Sequence, residues 1–289
     1  MKKIILATLV GLTTFVYANV NVVVSVLPQK TFVEAIGGDK INVALMVKPG
    51  NSPHSYEPKP SQMRDISKAD IYFSIDVEFE HVWLDKFANQ NKSMKIVDIS
   101  KGVEKLPMQK HDHEYEEDKD HNEHHNEDKK TLDPHIWTTP SNVKIIAKNI
   151  YKNLSEHDKA NANYYKANYE RFLNHIKDTD KKIKRILVDV DTGSKFMVFH
   201  PAWGYFARDY HLVQLAIESG GKNPKPKQVA FLIEEAKEEK VKAVFTAPEF
   251  SDKVAKRIAS EVGVKVIKVS PLNPKWSKNL INLAKAIAY

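Results

Sequence analysis

No cysteine occurs anywhere in the 289 residues. That excludes disulfides, thiolate metal sites and the lipid-bearing cysteine of a bacterial lipoprotein, so a free protein is expected and not a lipid-anchored one. Long apolar runs are equally scarce. The run Ile4 to Val16 is too short for a membrane-spanning helix, which needs about 20 residues. With Lys2-Lys3 before it and Val16-Tyr17-Ala18 after it, residues 1–18 read as a secretory signal cleaved after Ala18, leaving an exported, periplasmic chain. A basic cluster studded with aromatic residues is also missing. The formal net charge of +7 is spread along lysine-rich helices, so nucleic acid is a poor partner. What remains is 42% hydrophobic and 28% charged, enough for real cores under a solvated surface, in one large domain or two of ordinary size.

Apolar runs of strand length alternate with helical patterns. Asn19 to Leu27 suits a buried parallel strand, and Pro28 then opens a helix that stops at Gly37-Gly38. Further strands are predicted at Ile41–Val47, Asp70–Ile75 and Lys95–Ile99, with helices at Ser61–Lys68 and Phe79–Ala88. The same alternation restarts after Lys195. Strands fall at Phe196–Phe199, Leu212–Ile217, Ala243–Thr246 and Lys265–Val269, with helices at 203–209, 227–239, 252–262 and 277–288. This predicts α/β architecture: two similar parallel-sheet lobes.

Between the lobes, Ser141–Leu154 reads as a helix, and 155–188 as one long linking helix. Tyr165, Tyr169, Phe172, Ile176, Ile183 and Leu187 fall on one stripe of it, which reads as core packing. The predicted division is 19–154, 155–188 and 189–289. Inside the first lobe, 108–130 breaks the pattern. From His111 to Asp128 it holds five histidines (His111, His113, His121, His124 and His125) and nine acidic residues, so it reads as a mobile loop that gathers metal ions weakly.

Three other histidines stand in distinctive contexts: His54 in Ser52-Pro-His-Ser-Tyr-Glu57, His135 in Asp133-Pro-His-Ile-Trp137, and His200 in Phe199-His-Pro-Ala-Trp203. Each is flanked by proline at the edge of an apolar run. Ligands of open parallel sheets sit beyond the carboxyl ends of the strands. His200 directly follows one strand and His54 lies in the loop after another, so facing lobes would bring the rings together in the cleft. Three imidazoles without thiolates suit zinc. Tyr56, Trp137, Trp203 and Tyr205 are expected to wall the pocket. His81, His157, His175 and His211, in plainer contexts, read as surface or satisfied core residues.

These blocks, together with Val22-Val-Val-Ser-Val-Leu-Pro28, Pro58-Lys-Pro-Ser61, the His/acidic insert and Val269-Ser-Pro-Leu272, resemble the zinc-uptake, ZnuA-like members of the zinc/manganese solute-binding receptors of ABC importers. The resemblance covers essentially the whole chain after the signal. It implies two α/β lobes bridged by a long helix, with the metal between them, and His54, His135 and His200 as ligands. Manganese-selective members carry a carboxylate where His200 stands. The family's fourth ligand, an aspartate, is replaced by Ser270, which leaves water or, more weakly, Glu57 for that position. Family members often show Glu-Pro where this chain has Ala247-Pro-Glu249.

The expected function is that of a periplasmic receptor, monomeric and not an enzyme, that delivers Zn²⁺ to an ABC importer permease with only a small closure around His54 and His135. The alternatives are a manganese or other divalent-metal receptor, a zinc hydrolase, which would need a base and a substrate route and has no paired His-Glu helix motif here, and a surface adhesin.

Overall fold

The structure, a computed structural model, describes residues 19–108, 132–218 and 222–289. The signal segment and the five loop histidines lie outside the described residues. The chain begins with β1 (Val20–Val24), α1 (Leu27–Gly37), β2 (Ile41–Leu45), α2 (Pro60–Lys68), β3 (Ile71–Ser74), α3 (Glu78–Gln90) and β4 (Lys95–Asp98). These strands form a parallel sheet in the order β2-β1-β3-β4. The helices α4 (Pro140–His157) and α5 (Ala162–Ile186) follow. The second lobe contains β5 (Lys195–Val198), α6 (Gly204–Asp209), β6 (Val213–Ala216), α7 (Pro226–Glu238), β7 (Ala243–Thr246), α8 (Lys253–Val262), β8 (Lys265–Lys268) and α9 (Trp276–Ala288). Its parallel order β6-β5-β7-β8 repeats the first, with the sheet's first strand in sequence again one place in from the edge.

Local chemistry shifts two predicted boundaries. The first strand ends at Val24, before Leu27, because the Gln29 side chain accepts the N–H of Ser25 at 2.8 Å and of Val26 at 3.3 Å and turns the chain into α1. The long helix starts at Ala162, and Ser155–His157 finish α4 instead. Asp158 interrupts the run. Its carboxylate accepts from Asn161 N (3.3 Å), Asn161 Nδ2 (2.7 Å) and the Tyr165 hydroxyl (2.7 Å), closing a turn that folds α5 back on α4. Tyr151 and Tyr169 stack across this hairpin with ring centroids 4.7 Å apart.

The 25 residues of α5 extend about 37 Å, long enough to touch both lobes. Toward the first lobe, Phe172 packs on Phe32, and Asn168 Nδ2 donates to Ile36 O at 2.9 Å. Toward the second, Thr179 shares a 2.6 Å hydrogen bond with Ser277, and the Tyr210 hydroxyl donates to Asp180 at 3.0 Å. The strand period divides the second lobe's core. Phe196 and Val198 of β5 join an apolar cluster continuous with the first lobe, while Met197 and Phe199 face a separate cluster against α7 and α8. The lobes are also stitched directly. Trp137 Nε1 donates to Pro271 O (2.8 Å), Trp276 Nε1 to Trp137 O (2.7 Å) and the Tyr205 hydroxyl to Asp133 O (2.7 Å), all buried. Among the described residues, no helix is long and apolar enough to cross a membrane.

Candidate metal centre

The three motif histidines meet where the two sheets' carboxyl edges face each other. His54 sits on a single 3-10 turn, Pro53–Ser55, whose first N–H bonds are partly met by Ser52 Oγ accepting from His54 N at 3.3 Å. His135 precedes another such turn, Ile136–Thr138, in an Asx-type loop: Asp133 Oδ1 accepts both His135 N (2.9 Å) and His135 Nδ1 (2.8 Å). His200 lies two residues past the end of β5, after Phe199. His54 Nε2 lies 3.0 Å from His200 Nε2, and His200 Nε2 lies 3.2 Å from His135 Nε2. Two nitrogens each about 2.05 Å from a tetrahedral zinc would stand ~3.3 Å apart, so the spacing fits such an ion. The three residues form a group able to hold a metal, with one donor atom each and all within 4.8 Å.

Each ring is held from behind by a carboxylate. His54 Nδ1 donates to Glu78 Oε1 (2.6 Å), His135 Nδ1 to Asp133 Oδ1 (2.8 Å) and His200 Nδ1 to Glu218 Oε1 (2.5 Å). An ionised carboxylate only accepts, so the proton stays on Nδ1 and each Nε2 keeps its lone pair for a cation. The sequence reading missed Glu78 and Glu218 and gave Asp133 no role. Their signal was positional: Glu78 begins the helix after β3, and Glu218 comes just after β6.

Electrostatics favour the ligating form. Burial, with the neighbouring His135 and His54, pushes the His200 pKa down to about 4, against the pull of Glu218. Burial alone would raise the Glu78 carboxyl, but the hydrogen bond and charge of His54 hold it below its ordinary value.

The cavity at the cluster is about 10 Å³, the scale of a single water and too small for an organic molecule. Its apolar wall is Phe250, stacked on His200 with centroids 4.6 Å apart, together with Pro53, Pro271 and Leu272. The expected aromatic wall is therefore corrected. Tyr56, Trp137, Trp203 and Tyr205 are buried but do not line the cavity; Tyr56 binds Gln62, while Trp137 and Tyr205 bridge the lobes. Glu57 is exposed and outside the cavity. Ser270 Oγ donates to Glu249 Oε1 at 2.8 Å, and Glu249 lines the cavity. Among the histidines read as ordinary, His81 pairs with Asp76 at the surface and His175 stacks on Phe172.

A family model described as "Zinc-uptake complex component A periplasmic" matches residues 22–288. The chain belongs to this zinc-uptake family. It is 32% identical over 271 residues to the zinc-binding protein AdcA of Streptococcus pyogenes serotype M3, an alignment covering 91% of this chain and 52% of AdcA, so it spans about half the length of that relative. It is 31% identical over 252 residues to the high-affinity zinc uptake system protein ZnuA of Bacillus subtilis, covering 86% of this chain and 76% of ZnuA. A solved ZnuA deletion mutant with zinc bound superimposes with a TM-score of 0.82 at 38% identity, over 93% of this chain and 97% of that one. Membership in the zinc-uptake family agrees with the two four-stranded parallel sheets and the three-imidazole cluster.

Proposed function

We propose that the chain is a periplasmic zinc receptor. It binds one Zn²⁺ between its lobes through Nε2 of His54, His135 and His200 and hands it, as a monomer, to the permease of an ABC importer. The reading divides the chain into an exported segment from residue 19, lobes at 19–154 and 189–289, and the helical spine between them. The observation that carries it is the set of three converging Nε2 atoms, each made available by a carboxylate on the opposite ring nitrogen.

Donor chemistry supports zinc over manganese. Imidazole nitrogen suits zinc, whereas manganese prefers carboxylate and water oxygens, and position 200 is a histidine. A cavity of about 10 Å³ supports a cargo ion over the substrate of a hydrolase. The stitches through Trp137, Trp276 and Tyr205 support a receptor that moves little on loading, with rearrangement confined to the loop of His54. Calorimetry on a His54→Ala, His135→Ala, His200→Ala triple variant tests the proposal. Zinc binding is expected to disappear, and unchanged affinity would remove the reading. Absence of turnover on ester and CO₂ substrates is the companion expectation.

A further inference from the structure

Glu249 lines the same cavity as the three imidazoles but braces none of them. It stands in the turn 247–250 at the carboxyl edge of β7, beside β5, and His200 lies two residues past the end of β5. The turn is fixed against the site: Phe250 N donates to Ala247 O at 3.1 Å, and the Phe250 ring lies on His200. One carboxylate oxygen is also fixed. Ser270 Oγ donates to Glu249 Oε1, and that hydroxyl is oriented by the Leu272 N–H, which donates to it at 3.0 Å. Asn279 Nδ2 holds the Ser270 carbonyl at 2.8 Å.

The other oxygen, Glu249 Oε2, is buried and has no hydrogen-bond partner among the described residues. A buried carboxylate oxygen left without a donor is costly, so this atom calls for a donor in the cavity. Glu78 Oε2 is also without a partner, but Glu78 does not line the cavity. The compact donor cluster comprises the three histidines and not Glu249, so the carboxylate stands back from the point where they converge. That is the place of a group that reaches a water on the ion, not the ion itself.

We propose, building on the zinc-receptor reading, that Glu249 accepts through Oε2 a hydrogen bond from the water in the cation's fourth position. Ser270, where the resemblance implied an aspartate ligand, holds this carboxylate in place instead of being one. The site is then three nitrogens and an anion-anchored water.

The test uses the full chain, with zinc affinity measured by chelator competition and visible absorption of the cobalt(II)-loaded protein as a second readout. Glu249→Gln is expected to weaken zinc binding roughly 10–100-fold and to shift the cobalt bands. The exposed control Glu234→Gln should change neither. Ser270→Ala should weaken zinc binding less, and circular dichroism of the metal-free Glu249→Gln protein should match the parent. Parent-like affinity and cobalt bands in Glu249→Gln would overturn the proposal, as would a zinc-bound crystal structure with Oε2 bonded to the ion or turned away. His200→Ala separates the two levels. If it abolishes binding while Glu249→Gln does not, only the role of Glu249 falls; if it too binds normally, the receptor reading falls.

Discussion

Replacing Glu218 should weaken zinc binding without touching a ligand. Its carboxylate lies 2.5 Å from His200 Nδ1, and both side chains are buried, at 4% and 7% exposure, so water cannot substitute for it. With Glu218 present, the proton is fixed on Nδ1 and Nε2 points bare toward the other two imidazoles. In Glu218→Ala, the Nδ1–H loses its acceptor, and the ring is free to turn or to move its proton to Nε2, the tautomer that cannot ligate. Partners of this kind are worth about 10–100-fold in metal affinity, or ~1.4–2.7 kcal/mol. Glu218→Gln keeps an acceptor oxygen but loses the charge, so it should fall near the lower figure and Glu218→Ala near the upper. The assay is competition against a zinc chelator at fixed pH, with thermal melting of the metal-free variants to show that they are folded. Parent-like affinity in Glu218→Ala would refute the reasoning, and so would a loss that tracks the unfolded fraction.

Other expectations follow from the same geometry. His200 has a folded pKa of about 4 against 6.5 when unfolded, so between those values the folded chain binds fewer protons and stability falls with acidification. The His200 contribution is up to about 3 kcal/mol, read from melts of metal-free protein across pH 4–7 with and without His200→Asn. For the same reason, proton competition at His200 should weaken zinc binding only near pH 4, not through the 6.5 of an unperturbed imidazole. A Cβ on Gly204 would come within 3.0 Å of Asp133 Oδ2, so Gly204→Ala should displace the brace of His135 and lower zinc affinity several-fold, measured by the same competition. Trp276→Phe leaves the buried Trp137 carbonyl without its donor and should cost about 1–3 kcal/mol in urea unfolding. Asp158→Ala removes the cap of the 3-10 turn leading into α5 and the acceptor of Tyr165 and should cost about 1–2 kcal/mol in the same assay.

Much of this architecture was legible because parallel strands and amphipathic helices leave strong periodicities. The stripe from Tyr165 to Leu187 marked the helix that touches both lobes. Its start did not show, since the Asp158 carboxylate takes the Asn161 backbone N–H and side-chain amide, bonds that a periodicity count ignores. The histidines were legible because each carries a proline and ends an apolar run. Their braces were not. Asp133 lies inside a motif, but Glu78 and Glu218 sit in ordinary sequence, and only the fold gives them partners. The same holds for Phe250, whose contact with His200 spans two crossover connections. Of the four rings assigned to the pocket wall, Trp137 and Tyr205 went to the seam between lobes, where their N–H and O–H groups find buried carbonyls.

Two of the three rings are walled in, whereas His54 keeps a quarter of its side chain open to solvent on a single short turn. The socket is thus closed on two sides and open on the third. On the receptor reading, an ion would enter and leave past His54, so replacing that ring should change the rates of exchange more than replacing either of its buried neighbours.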